Sequence, residues 1–268
     1  MLVPILNRSD VCKSDVIEGK VLMKFSHPLV EGKILGRKGQ FVMFVEINGV
    51  AERCHCPTTG RIGTFEIVGR PCLLSRSENL TRSTRYTVEA VSLNRPEDKI
   101  KSWIGINQNA SNRYVEYYLN NGSFKDMIHV EGKVLREKVL GKSKLDFLVG
   151  DTYLEVKTPL QDIQLPIPEY VNIRKDSPFS DTSRLVKHMT DLANSLRTSQ
   201  RAIILLVFLY DNPGFKVISR SSNYQEVFGV VQSSLSEGVE MWQANFEVTA
   251  EEVKLSKYFP LTLSGISS

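Results

Sequence analysis

Leu145-Asp146-Phe147-Leu148-Val149-Gly150-Asp151-Thr152-Tyr153-Leu154-Glu155-Val156-Lys157 reads as two short strands joined by a tight turn at Gly150-Asp151. Side chains alternate along a strand, so Glu155 and Lys157 share one face while Val156 points to the core. Folding the hairpin carries Asp146 beside Glu155. Two adjacent carboxylates repel unless a cation joins them, and hard oxygen donors completed by water suit Mg²⁺ or Mn²⁺. Such an ion lowers the pKa of a bound water and stabilises charge on a scissile phosphate, with Lys157 orienting the water or neutralising the developing charge. An Asp-x8-Glu-x-Lys pattern also occurs on exposed ladder edges, so spacing alone leaves both readings open.

Upstream, residues 16–91 show short alternating runs broken by turn residues, the pattern of a small β-barrel. Phe41, Met43, Val45 and Ile47 alternate before Asn48-Gly49, and Thr84, Tyr86, Val88 and Ala90 alternate farther on. Barrels of about five strands often bind oligonucleotides. Arg95-Pro96-Glu97-Asp98-Lys99 breaks the pattern and reads as a linker. Beyond Trp103 the pattern mixes helix and strand. Helices are expected over 111–121, over 182–196 and around Tyr224, Val227, Phe228, Val231 and Leu235, with strands at 202–210 and 239–246. The expected architecture is α+β overall: an OB-like β-barrel over 14–95, then an α/β domain over 100–250. The proline-rich 165–178 connection is long enough to serve as a lid or a flap.

The 268 residues carry 34 Lys+Arg against 30 Asp+Glu and are 41% hydrophobic, a globular composition that argues against a disordered chain or a disulfide scaffold. The longest apolar run, 202–210, is far short of the ~20 residues that a membrane-spanning helix needs. The N-terminus lacks a basic region and a long apolar region, so the expected location is cytoplasmic. Cys12, Cys54, Cys56 and Cys72 read as reduced thiols. Cys54-His55-Cys56 has zinc-binding side chains, but no second pair completes a tetrahedral set. Two basic stretches stand out, Arg70/Arg76/Arg82/Arg85 and Lys133/Arg136/Lys138/Lys142/Lys144, either of which can face phosphate or be a solvated surface.

Six motifs occur in a fixed order: Arg37…Phe41; His55-x-Pro57-x-Thr59-Gly60-Arg61; Trp103-x-Gly105-x-Asn107…Ala110-x-Asn112; Arg136-Glu137…Gly141-x-Ser143-x-x-Asp146-Phe147; Glu155-Val156-Lys157; and Arg184-x-x-Lys187-His188. The chain resembles, over about residues 20–245, the sugar fermentation stimulation protein A family. Its acidic hairpin resembles the PD-(D/E)XK nuclease superfamily. The resemblance implies an OB-like domain, a PD-(D/E)XK-like domain and DNA as partner. It departs from the family pattern at Gln40, Thr58, Lys144 and Leu185, and a planar guanidinium is lost at Gln40.

By the resemblance, the catalytic set is Asp146, Glu155, Lys157, Glu137 and His188. Asp146, Glu155 and Glu137 would be the metal ligands for Mg²⁺ or Mn²⁺. Arg37, Arg61, Arg136, Lys142, Lys144, Arg184 and Lys187 would meet nucleic acid. The expectation is a metal-dependent deoxyribonuclease, and the rival is a DNA-binding regulator that keeps the nuclease fold without cleaving. Arg184, Lys187 and His188 stand at i, i+3 and i+4, which places them on neighbouring tracks of a helix edge.

Overall fold

The computed structural model describes residues 15–17, 20–79, 81–140, 143–161, 163–174, 182–216 and 221–262. Lys142 and Cys12 lie outside the described residues. The first two strands, β1 (Asp15–Ile17) and β2 (Lys20–Lys24), pair with each other and join a large sheet formed mainly by the C-terminal half. The expected 14–95 domain therefore starts with strands that belong to the second sheet. The other partner of β2, the strand over 252–260, comes more than 200 residues later, a pairing that local periodicity does not encode.

The barrel itself comprises β3 (Val30–Lys38), β4 (Val42–Ile47), β5 (Val50–His55), β6 (Pro71–Arg76) and β7 (Tyr86–Val91). The strands run in the order β5-β4-β3-β6-β7, and a parallel contact of His55 with Thr87 closes the ring. Asn48 and Gly49 both take left-handed φ, 50° and 79°, as a tight hairpin turn requires. Alternation then buries Met43, Val45 and Ile47 together with Cys54, Cys72, Leu74 and Val88. The thiols of Cys54, Cys56 and Cys72 are free and buried, and burial raises the pKa of each. Among the described residues no group of three His, Cys, Asp or Glu side chains is set to hold a metal ion.

β8 (Ile104–Gly105) extends the edge of β7, and the chain then enters α1 (Gln108–Asn120). This helix begins three residues before the expected 111 because the Asn107 side chain caps it, accepting from the Ala110 N–H at 3.1 Å while donating to Glu89 at 2.7 Å. The large sheet adds β9 (Val134–Leu140), β10 (Ser143–Val149), β11 (Thr152–Lys157), β12 (Arg201–Phe208), β13 (Glu240–Val248) and β14 (Glu252–Pro260). Its order is β1-β2-β14-β13-β12-β11-β10-β9. β11, β12 and β13 run parallel, linked through α2 (Ser183–Ser195) and α3 (Tyr224–Ser236).

The two helices α2 and α3 cover one face of the sheet, where Met189 and Leu192 meet Ile204, Leu206 and Phe208. On the other face, Tyr114, Val115, Tyr118 and Leu119 of α1 pack on Ile203, Leu205, Val207 and Phe246. β12 is buried along nearly its whole length, as a strand covered on both faces must be. The barrel interior and the α2/α3 layer form one continuous apolar core through Phe65, Leu160 and Val171. Gly105 sits at a close approach of the two halves. Its N–H donates to the Leu209 carbonyl at 2.8 Å, and a Cβ there would sit 2.4 Å from that of Leu209.

The described part of the 165–178 connection straps the barrel. Glu66 N–H donates to the Asn172 carbonyl (2.8 Å), Arg174 N–H to the Thr64 carbonyl (2.6 Å), and Tyr170 Oη to the Leu93 carbonyl (3.0 Å). Arg95 stacks on the Tyr170 ring at 4.5 Å. These bonds hold residues 170–174 against the barrel; the end of the expected lid or flap, 175–178, lies outside the described residues. No helix among the described residues is long and apolar enough to cross a membrane.

Candidate functional site

β10 and β11 pair regularly from Val149 opposite Thr152 to Phe147 opposite Leu154, which sets Asp146 against Glu155. At that point the carboxylates replace the main-chain ladder. Val156 N–H donates to Asp146 Oδ2 at 2.9 Å, and Asp146 N–H to Glu155 Oε2 at 3.3 Å. Each acid is thus held by the opposite strand's backbone, and the two sit side by side where the strands part. Asn112, from α1, donates to Asp146 Oδ1 at 2.7 Å.

Glu155 is only 1% exposed. Lys157 Nζ donates to its Oε1 at 2.6 Å and lies 3.0 Å from His188 Nδ1. His188 Nδ1 also makes a very short contact with the same Oε1. Burial pushes the Glu155 pKa up, but the His188 bond and the Lys157 charge outweigh it and leave the group below the ordinary carboxylate range. Asp146 moves the other way. Burial first, then the Glu155 charge, raise its pKa against the bonds from Val156 and Asn112. One carboxylate is held ionised and its neighbour resists ionisation, so the pair gains from a cation placed between them.

The structure brings four of the expected residues together: Asp146, Glu155, Lys157 and His188. Glu137 is separate from them. The β9–β10 register leaves it opposite Asp146, between Lys138 and Arg136, but its left-handed φ of 54° turns it out of the regular ladder. Its carboxylate is solvent-exposed and takes the Lys144 ammonium at 2.6 Å, which holds its pKa down. Of the three acids expected as metal donors, Asp146 and Glu155 are the two that lie together. Their hard oxygens, side by side and short of positive charge on the Asp146 side, fit Mg²⁺ or Mn²⁺.

The expected phosphate contacts divide as well. Arg184 and Lys187 are exposed on α2 beside buried His188. Arg136 pairs with Glu116 at 3.3 Å. Arg61 lines a shallow groove of about 430 Å³ with Arg37, Glu66 and Arg174. Arg37 spends its guanidinium on the protein itself, donating to the carbonyls of Gln40 (2.9 Å), Thr58 (2.6 Å) and Gly60 (2.9 Å). It clamps the 58–60 loop, a structural use of the charge that the motif alone did not reveal.

That loop leads to the acidic centre. Thr58 Oγ1 donates to Gln108 Oε1 (2.7 Å), Gln108 Nε2 to the Thr158 carbonyl (2.8 Å), and Thr158 Oγ1 to Ser111 Oγ (2.8 Å). Sequence reasoning assigned no role to Gln108, Ser111, Asn112 or Thr158. For Gln108, Ser111 and Asn112 the signal was a polar stripe at i, i+3 and i+4 in the first turns of α1, which apolar periodicity passes over; Thr158, just past β11, carried none.

A family model described as SfsA N-terminal OB domain matches residues 35–106, and one described as sugar fermentation stimulation protein RE domain matches residues 109–252. A sugar fermentation stimulation protein homolog of Synechococcus sp. (strain JA-2-3B'a(2-13)) is 32% identical over 259 residues, 93% of this chain and 98% of the relative. Another, from Microcystis aeruginosa, is 28% identical over 85% of this chain and 93% of its own length. The structure of Pyrococcus furiosus SfsA in complex with Ca²⁺ is alike in fold, with a TM-score of 0.69 at 21% identity over 90% of this chain and 99% of that one. Matched in both halves and in order, the chain belongs to the sugar fermentation stimulation protein family.

Proposed function

We propose that this protein binds DNA across the barrel and the acidic end of the large sheet, and hydrolyses phosphodiester bonds there with Mg²⁺ or Mn²⁺. The observation that carries the reading is the Asp146/Glu155 pair at the parting of β10 and β11, with Lys157 on Glu155. A solved relative is described in complex with Ca²⁺, and paired carboxylates are the donors such hard cations take. When bound, the ion polarises the scissile phosphate and acidifies a water. The chain's own residues do the rest. Asn112 and the Val156 N–H fix the Asp146 carboxylate, and His188 fixes Glu155 from α2. Lys157, partly open to solvent, presents an ammonium to the attacking water or to the charge that develops on phosphate. Arg184 and Lys187 supply exposed charge on the same helix as His188 for the flanking backbone. A non-cleaving DNA binder is the second reading, favoured by Glu137 standing apart on Lys144.

Binding without cleavage is measured by fluorescence anisotropy of a labelled duplex in the presence of chelator. Contacts made mainly to phosphate predict that affinity falls about a thousandfold between roughly 50 and 200 mM salt and varies little with sequence. Arg184→Ala/Lys187→Ala is expected to flatten that slope. A salt-independent affinity, or tight preference for one short site, contradicts the reading.

A further inference from the structure

The outer face of β4 and β5, together with Phe41 in the turn just before β4, carries rings that the core does not use; Phe41 departs from the inward alternation of Met43, Val45 and Ile47. Phe41 is 54% exposed, and its ring lies parallel to that of His55, 7° apart in plane with centroids at 6.5 Å. A single exposed Phe is unremarkable. This one is held in place: the Cys56 N–H donates to the Phe41 carbonyl at 2.9 Å, and the Arg37 clamp fixes Gln40 just before it. Three residues on, within β4, exposed Phe44 stands opposite Arg53, and Val42 lies between Lys38 and His55. Arg82 and Arg85, also exposed, lie on the approach to Thr87, the residue that pairs with His55.

We propose that this face is a stacking platform for single-stranded DNA, with a base on Phe41 and its phosphates on Lys38 and Arg53. The inference deepens the DNA-binding reading and rests on it. Three features select this occupant. Parallel rings with an open face accept a nucleobase, whereas the bases of a duplex are already stacked inside it. The flanking side chains are basic, which complements phosphate. The platform is also tied to the acidic centre by a chain of hydrogen bonds: the Arg37 clamp holds Thr58, Thr58 bonds Gln108, and Gln108 bonds the carbonyl of Thr158, the neighbour of Lys157. The face of the second and third strands of an OB barrel is where oligonucleotides dock, and in this barrel those strands are β4 and β5. A base stacked on Phe41 must be unpaired, so the preferred ligand is DNA with a single-stranded end or junction.

The test uses the full chain with chelator present, so cleavage plays no part. Anisotropy is read with labelled oligo(dT) and with a blunt hairpin duplex. Phe41→Ala is expected to weaken oligo(dT) binding about tenfold and to leave the duplex within about twofold. Phe41→Trp is expected to keep the affinity, with its added indole emission quenched by oligo(dT). Equal losses on the two DNAs, no loss on oligo(dT), or no quenching in Phe41→Trp overturns the platform while leaving DNA binding intact. Failure of the unaltered protein to bind either DNA overturns the platform together with the reading beneath it.

Discussion

Asp146→Asn is expected to cut DNA cleavage by about a thousandfold or more while leaving DNA affinity unchanged or higher. The asparagine keeps the size of the side chain and an oxygen for the Val156 N–H, so the hairpin is retained. What goes is one of two negative charges that burial and proximity already disfavour. Without it the remaining donor, Glu155, is engaged by Lys157 and His188 and holds a divalent ion poorly. Loss of the ion removes several kcal/mol of charge stabilisation at the transition state, the scale of a thousandfold rate effect. DNA loses nothing, since a carboxylate facing phosphate only repels it. Calorimetric titration with Mn²⁺ separates the steps: the account expects heat from the unaltered protein and almost none from Asp146→Asn. Equal Mn²⁺ uptake by both proteins shows that the ligands lie elsewhere.

His188→Ala is expected to destabilise the fold by about 2 kcal/mol, because it strips a partner from a carboxylate almost wholly out of water. Complete loss of partners at a buried charge costs about 3–5 kcal/mol. The smaller figure follows because Lys157 stays on Glu155 at 2.6 Å. Adding Glu155→Gln to His188→Ala should recover most of the loss, since the amide no longer carries the uncompensated charge. Urea denaturation of the two variants against the unaltered protein measures both numbers. A His188→Ala midpoint unchanged from the parent would mean that the contact with Glu155 contributes little.

What could be read from sequence followed the range of the interactions. The Asp146, Glu155 and Lys157 arrangement depends on strand alternation and one tight turn, both local, and the barrel followed by an α/β unit depends on periodicities that switch at about residue 100. His188 was placed by helix spacing together with a motif order, and the structure sets it against Glu155 across 33 residues. Glu137 escaped because a strand reading assumes regular φ, and its backbone is left-handed at that residue. The clamp made by Arg37 was not legible because a guanidinium serves loop carbonyls as readily as phosphate, and composition cannot tell which. The pairing of β2 with β14 and the clasp of residues 170–174 on the barrel are long-range contacts, fixed by packing of the whole molecule.

The central claim is that the acidic pair is a metal-dependent nuclease centre, and the most direct measurement follows end-labelled DNA with a single-stranded tail by gel. The purified protein is incubated with it in Mg²⁺, in Mn²⁺ and in chelator, alongside Asp146→Asn. The account predicts shortened products with either metal for the unaltered protein, and intact DNA in chelator or with the variant. DNA that is bound yet uncut under every condition, or cut equally in chelator and by Asp146→Asn, contradicts it.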